Sequence, residues 1–348
     1  MRNILCVTLI ALLGGCTSTS VTEKYQDKRN DIINVKDKVI EFETGNVLIG
    51  SVSRLYMSNK CLLIADHKSV DKQIHIFNKN DFSYLTSIGN FGEGPEEITV
   101  MGCLAIDEAH HQLYVSDHAK QKIFSYDMDS VMVDSLYKPQ VKTAMNETLF
   151  PSEYQYINDT LSIAVLIKPT STSTFNQFLG RWNMNTGEMI PMKYTHPDIQ
   201  KKRITFAASE KAGIYVECYT RHDLMTICSL DGELLYNIYG PDWDGGNGNK
   251  LQSFGTVMIG NDKIFVSYCG EDYARDSFPT KILVFDLEGN YLKTLETGYK
   301  ISDCCYDSFN NRIILSLNDV VQFAYLDIDG IISVSYTHLR AHETSLHL

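Results

Sequence analysis

Repetition constrains this chain more than any other feature. Between positions 104 and 136 four short runs follow one another, at 104–106, 112–116, 122–126 and 131–136, separated by turn-prone clusters at 107–111, 117–121 and 127–130. Apolar and polar residues alternate within the runs (Leu113 and Val115 against Ser116, Ile123 against Ser125). That is the period of a strand with one face inward, and not of a helix. Four strands in about 30 residues cannot bury both faces alone, so the unit must stack on others.

The rest of the chain supplies them. A strand ending near Asp or Asn recurs at 74–78, 123–127, 180–183, 225–231, 282–286 and 321–327, roughly every 40 to 56 positions. Each is preceded by another short strand, at 62–65, 113–116, 161–166, 213–218, 263–268 and 312–317. Six such units with no long helix-period segment predict an all-β fold, a six-bladed β-propeller with four-stranded antiparallel blades. A large β-sandwich would not produce such a period. The ring must be closed by strands from both ends, or an edge stays open. The run VIEFE at 39–43 is the favoured N-terminal donor, and 331–334 competes for the place.

Length and charge narrow the class. The 348 residues are 44% hydrophobic and include 20 Tyr, enough for a large core. A net charge of −12, with no basic cluster to reverse it locally, argues against a nucleic-acid partner.

The N-terminus carries a short basic start, an apolar run at 4–13 and then Gly14-Gly15-Cys16. This reads as a secretory signal over 1–15 and is too short to span a bilayer. Leu13-Gly14-Gly15-Cys16 resembles a bacterial lipobox, which makes Cys16 the lipidated first residue of the mature chain. By the same resemblance Thr17 in place of Asp favours the outer membrane, facing the periplasm or the cell surface. A polar tether is expected over 16–38 and the propeller over 39–335. The tail 336–348 departs from everything before it and reads as a non-native translated adapter. Seven cysteines remain beyond Cys6 and Cys16; an odd number scattered through strands is a poor disulfide framework. Buried thiols are expected, with a Cys218–Cys228 bridge as the alternative and with Cys304 and Cys305 pointing to opposite faces.

The repeats resemble those of six-bladed, TolB-like and NHL-like propellers in lipoproteins of Bacteroides-type bacteria. The matching residues are LYVSD at 113–117 with 123–127, the echo LLIAD at 62–66 with 74–78, and GNFGEGPEE at 89–97, similar to a blade-closing Gly-x-Gly-Pro-x-Glu loop. The resemblance implies that loops between blades, and loops between each blade's second and third strands, share one face around a central channel.

On that face the candidates for ligand contact are Glu96, Glu97, Arg221, His222, Asp242, Trp243, Asp272, Arg275 and Asp276. Trp243 between two carboxylates is the most site-like, since an exposed aromatic suits a sugar or peptide. The loop at 92–97 lacks the ending of a phosphate loop; its glycines supply unusual backbone angles and Glu96 is expected to satisfy backbone donors. Asp66 and Asp117 occupy equivalent turns and read as caps, with His67 and His118 solvated beside them. His110 and His111 belong to a turn on the opposite face. No nucleophile, base and orienter set is recognisable, so no catalytic residue is assigned and an enzyme is the less favoured class. The leading expectation is a non-catalytic envelope lipoprotein, attached to the membrane by its lipid, that binds a protein, peptide or glycan and needs no cofactor. The alternative is a metal-dependent hydrolase or lactonase resembling gluconolactonase-type propellers, with a divalent metal held by Glu96 or Asp303, helped by Glu97 and Asp242.

Overall fold

The computed structural model describes residues 22–332 apart from Ser135, Gly248, Asn249 and Asp276. The signal segment, Cys16, Val334 and the tail therefore lie outside the described residues. Six antiparallel sheets form the blades. Blade 1 contains Ser53–Met57, Cys61–Asp66, Lys72–Asn78 and Tyr84–Asn90, and blade 2 contains Met101–Asp107, Gln112–Asp117, Lys122–Asp127 and Gln140–Ala144. Blade 3 runs from Phe150–Asn158 through Leu161–Pro169 and Phe175–Trp182 to Met189–Pro191. Blade 4 has Ile204–Ser209, Ile214–Tyr219, Leu224–Ser229 and Leu234–Tyr239, and blade 5 Leu251–Gly260, Lys263–Asp272, Lys281–Asp286 and Tyr291–Glu296. Blade 6 is built from Ile301–Asp307, Arg312–Leu317 and Phe323–Asp327, completed by Val39–Glu41. The first strand of every blade lines one central channel.

Strand alternation explains the stacking. Each blade is apolar on both faces, and each seam between neighbours holds its own core. Leu63, Ile76, Leu104 and Phe124 fill the seam of blades 1 and 2; Val284, Leu295, Ile313 and Leu315 fill that of blades 5 and 6. Adjacent Cys304 and Cys305 enter different seams, the first toward blade 5 and the second toward blade 1. All seven described cysteines are free and buried, and Cys218 lies opposite Met225 instead of Cys228. Burial pushes the Cys103 thiol up to about 11 and the Cys228 thiol up to about 12, as for inert packing cysteines.

The N-terminal strand closes the ring: Glu41, Ile40 and Val39 pair antiparallel with Ala324, Tyr325 and Leu326. Ile331 and Ile332, the described part of the competing segment, lie in a turn and pack into the seam of blades 5 and 6. The closing seam is reinforced by Phe42 stacked on Phe82 at 3.9 Å and by Asp307 between Lys79 (3.3 Å) and Arg312 (3.3 Å).

Two expectations are corrected. The run at 131–136 is not a strand: Met128–Val133 is a short helix, and the outer strand of blade 2 is Gln140–Ala144. Asp127 caps that helix, its Oδ1 accepting from Ser130 N–H at 2.7 Å, while Val131 is buried in the seam. The polar segment expected as a tether is, over its described residues from Thr22, part of the propeller. Glu23–Tyr25 adds a parallel fifth strand to blade 4, and Ile32–Asn34 adds one to blade 5. Tyr25 stacks on Tyr239 at 4.5 Å, Val35 is fully buried, and the Arg29 guanidinium reaches Asp223 at 2.8 Å. A strap thus runs outside blades 4, 5 and 6 before blade 1 begins.

Candidate functional site: the loop face and the channel mouth

The loop face is built on aspartates that end the second strands. Asp66 accepts Gly50 N–H at 2.7 Å and Lys68 N–H at 3.0 Å; Asp117 accepts Thr99 N–H at 2.8 Å and Ala119 N–H at 3.0 Å. Each carboxylate caps its own turn and pins the loop arriving from the preceding blade, the capping role expected for both. In blade 4 Asp223, in the loop after the second strand, accepts Asp242 N–H at 3.2 Å and so holds the loop that leaves for blade 5. The loop at 92–97 is held by Lys120, whose ammonium donates to the carbonyls of Gly94 (2.6 Å) and Glu97 (2.5 Å). Glu97, and not Glu96, satisfies its backbone, accepting Gly94 N–H at 2.8 Å. A Cβ on Gly92 would fall 2.0 Å from that carboxylate, so a side chain there would push Glu97 off the backbone it caps.

Beneath this face lies the channel, a cavity of about 350 Å³. Arg54 of blade 1 reaches across it to Glu153 of blade 3 at 3.0 Å. Asp303 of blade 6 accepts from Leu55 N–H at 2.8 Å and from the Thr256 hydroxyl at 2.7 Å. Burial pushes the Asp303 carboxyl up, opposed by the nearby Arg54 guanidinium.

Of the residues named from the sequence, His222 and Trp243 are brought into contact, and the carboxylates are spread over the loop face and the channel. Glu96 forms an ion pair with Lys138 at 2.7 Å, beside Tyr126 and Tyr137. Asp242 accepts from the Tyr268 hydroxyl at 3.2 Å, and Asp303 is in the channel. The four carboxylates of the metal alternative therefore do not gather at one point: Glu96 and Glu97 share a loop, with Asp242 and Asp303 elsewhere. Trp243 is not an exposed platform: it is half-buried and packs on Tyr239, His196 and His222, with ring centroids 5.0, 5.7 and 5.9 Å away. His222, expected at a loop tip, is buried, and that burial holds its imidazole below the ordinary range. Arg221 stacks on Tyr273 at 4.1 Å. Asp272 caps Ala274 N–H at 2.9 Å, and Arg275 is exposed, 3.9 Å from Glu271. Asp276 is outside the described residues.

The histidines expected to be solvated are partly buried as well. His67 Nδ1 lies 3.2 Å from the Met101 carbonyl, and burial lowers the pKa of both His67 and His118. A depression of about 550 Å³ opens beside the channel between blades 1 and 2, lined by Val52, Arg54, His67, Lys68, Gln73 and Phe91, with the 99–101 strand start behind them. Sequence reasoning missed it. Its residues come from four strands or loops, and the sole local signal is the apolar exposure of Phe91 and Val100 in a loop otherwise rich in Gly and Glu.

On the opposite face Asp107, His110 and Asp159 bring ligand atoms within 4.8 Å of one another. The equivalent turn of blade 6 explains the first two. Asp107 accepts His110 N–H (3.1 Å) and faces His110 Nδ1 (2.8 Å), as Asp307 accepts Asn310 N–H (3.3 Å) and Asn310 Nδ2 (2.7 Å). His110 does the work of a turn asparagine.

Comparisons with known proteins agree with this architecture. Residues 18–176 match the DUF5128 family model, described as a 6-bladed beta-propeller. Among solved structures, a "Putative exported protein" of Bacteroides fragilis NCTC 9343 superposes with a TM-score of 0.56 at 13% identity, covering 84% of this chain and 87% of that one. A DUF4221-family member from Bacteroides vulgatus gives 0.54 at 10% identity, covering 86% and 98%. The β-propeller domain of Cps50 (Swd1) from Myceliophteria thermophila gives 0.52 at 10%, covering 82% and 98%. No curated protein matches the sequence. At these identities the likeness is one of fold: the chain is a six-bladed β-propeller.

Proposed function

We propose that this chain is a non-catalytic lipoprotein of the cell envelope, anchored at the outer membrane through Cys16, whose loop face binds a protein, peptide or glycan. The observation that carries the reading is apolar surface held rigidly in water on that face. Val52, Phe91 and Val100 are 48%, 45% and 50% exposed around one depression, on loops pinned by Asp66 and Asp117. Such a patch on a rigid scaffold marks an interaction site. The strap supports the anchoring: only five residues separate Cys16 from Thr22, about 20 Å of extended chain. The outer edge of blade 4 would then lie against the membrane, and blades 1 and 2 would face away from it.

Two measurements test this. Cys16→Ser should release the protein from membranes and remove the lipid mass; unchanged membrane association would end the lipoprotein reading. Capture from envelope extract with the full chain should yield a partner whose retention weakens when loop-face residues are changed, either Phe91 or the set Asp242, Asp272 and Arg275. Turnover of a lactone or ester, with a stoichiometric metal lost in Glu96→Gln or Asp303→Asn, would replace this reading with the hydrolase.

A further inference from the structure

The depression between blades 1 and 2 contains polar groups without protein partners. The Gln73 residue is 2% exposed, and its Oε1 has no hydrogen-bond partner among the described residues. His67 is in the same condition at Nε2. Its Nδ1 faces the Met101 carbonyl, which can only accept, so Nδ1 carries the proton and the neutral ring offers Nε2 as an acceptor. Buried acceptors left unmade are costly and rare. Here two of them line one cavity.

We propose that this depression is a peptide-binding site. It seats one apolar side chain of an extended, neutral or acidic segment against Val52, Phe91 and Val100, with the peptide's N–H and C=O facing the Gln73 carboxamide. The inference rests on the binding reading above and names the site and ligand class within it. Three features select that class. A carboxamide offers one donor and one acceptor side by side, the complement of a peptide group. The walls are apolar and pre-organised: Phe91 N–H donates to the Asp71 carbonyl (2.7 Å), His67 N–H to that of Val52 (3.1 Å), and His118 N–H to that of Val100 (2.9 Å). The charged side chains lining the depression, Arg54 and Lys68, are both cations. Arg54 is neutralised by Glu153, whereas Lys68 makes no ion pair among the described residues, so a basic segment is repelled and an acidic one attracted. A sugar fits less well, because its many hydroxyls would meet few acceptors between apolar walls.

The test uses the full chain and fluorescein-labelled, blocked hexapeptides that differ in one central residue (leucine, alanine or aspartate) and in flank charge (glutamate or lysine). Saturable binding of the leucine peptide with glutamate flanks is expected, weaker with lysine flanks and lost with central aspartate. Phe91→Ala and Gln73→Leu should each weaken it by about tenfold, the size of one lost apolar contact or hydrogen bond, while Glu233→Ala leaves it unchanged. Gln73→Leu should not lower the melting temperature, since the amide has no structural partner to lose among the described residues; a marked drop would make it a structural residue and overturn the proposal. Failure of every peptide to saturate would overturn it, as would Phe91-dependent binding of maltohexaose in their place. A captured envelope partner that is lost with the Asp242, Asp272 and Arg275 variants, yet indifferent to Phe91→Ala, would sink this site and leave the binding reading standing.

Discussion

Arg29 shows how much one side chain can hold. Its guanidinium is 2.8 Å from Asp223, both side chains are under a tenth exposed, and the rings of Phe254, Tyr268 and Phe285 lie 5.4 to 5.7 Å away. Burial raises the pKa of Asp223, and Arg29 opposes that shift. Removing the cation alone leaves a buried carboxylate, so Arg29→Met should cost about 3–5 kcal/mol in urea unfolding. Replacing both partners by apolar residues should recover much of the loss; equal losses in single and double variants would refute the coupling. Residue-level legibility varied for a physical reason. Asp66 and Asp117 declared themselves by position, after a strand and before a turn. Glu96 and Glu97 are equivalent in sequence, and only the backbone path chose between them: one faces the glycine turn, the other Lys138.

At the scale of elements, the short helix and the strap make separate predictions. Asp127→Ala removes the helix cap and should cost about 1 kcal/mol, read as a lower unfolding midpoint; no change would mean that packing of Val131 alone holds the turn. The Asp127-Met128-Asp129-Ser130 sequence contains a cap signal, but alternation in the residues after it resembles a strand, and one turn of helix is too short to show its period. Deleting residues 22–34 should bare the outer edges of blades 4 and 5. We expect a lower melting temperature and concentration-dependent association by size-exclusion chromatography, because open edges pair with other chains. A monomer of unchanged stability would show the strap to be dispensable.

Over the whole molecule, buried histidines set the response to acid. Burial lowers the pKa of His67, His75, His118, His196 and His222 in the folded state. The unfolded chain therefore binds more protons as pH falls through the ordinary imidazole value of about 6.5, and stability present above it is lost below. The exposed His110, raised by Asp107, and the raised carboxyls of Asp223 and Asp303 act in the opposite sense but are fewer. The urea midpoint should be lower near pH 5 than near pH 7.5, and His196→Gln should flatten the difference. A higher midpoint in acid would reverse the assignment.

Six copies of a strand pattern, each too small to bury both faces, leave a ring as their common solution, so blade number and the N-terminal closing strand could be read from residues 39–43 and the recurring runs. Those features depend on local alternation and on counting. The site depended on what alternation does not record. Arg54 meets Glu153 two blades away, the Gln73 Oε1 has no partner among the described residues, and Trp243 is folded under His196 and His222. Which side chains remain free to bind is decided by contacts between blades, and those exist only once the ring has closed.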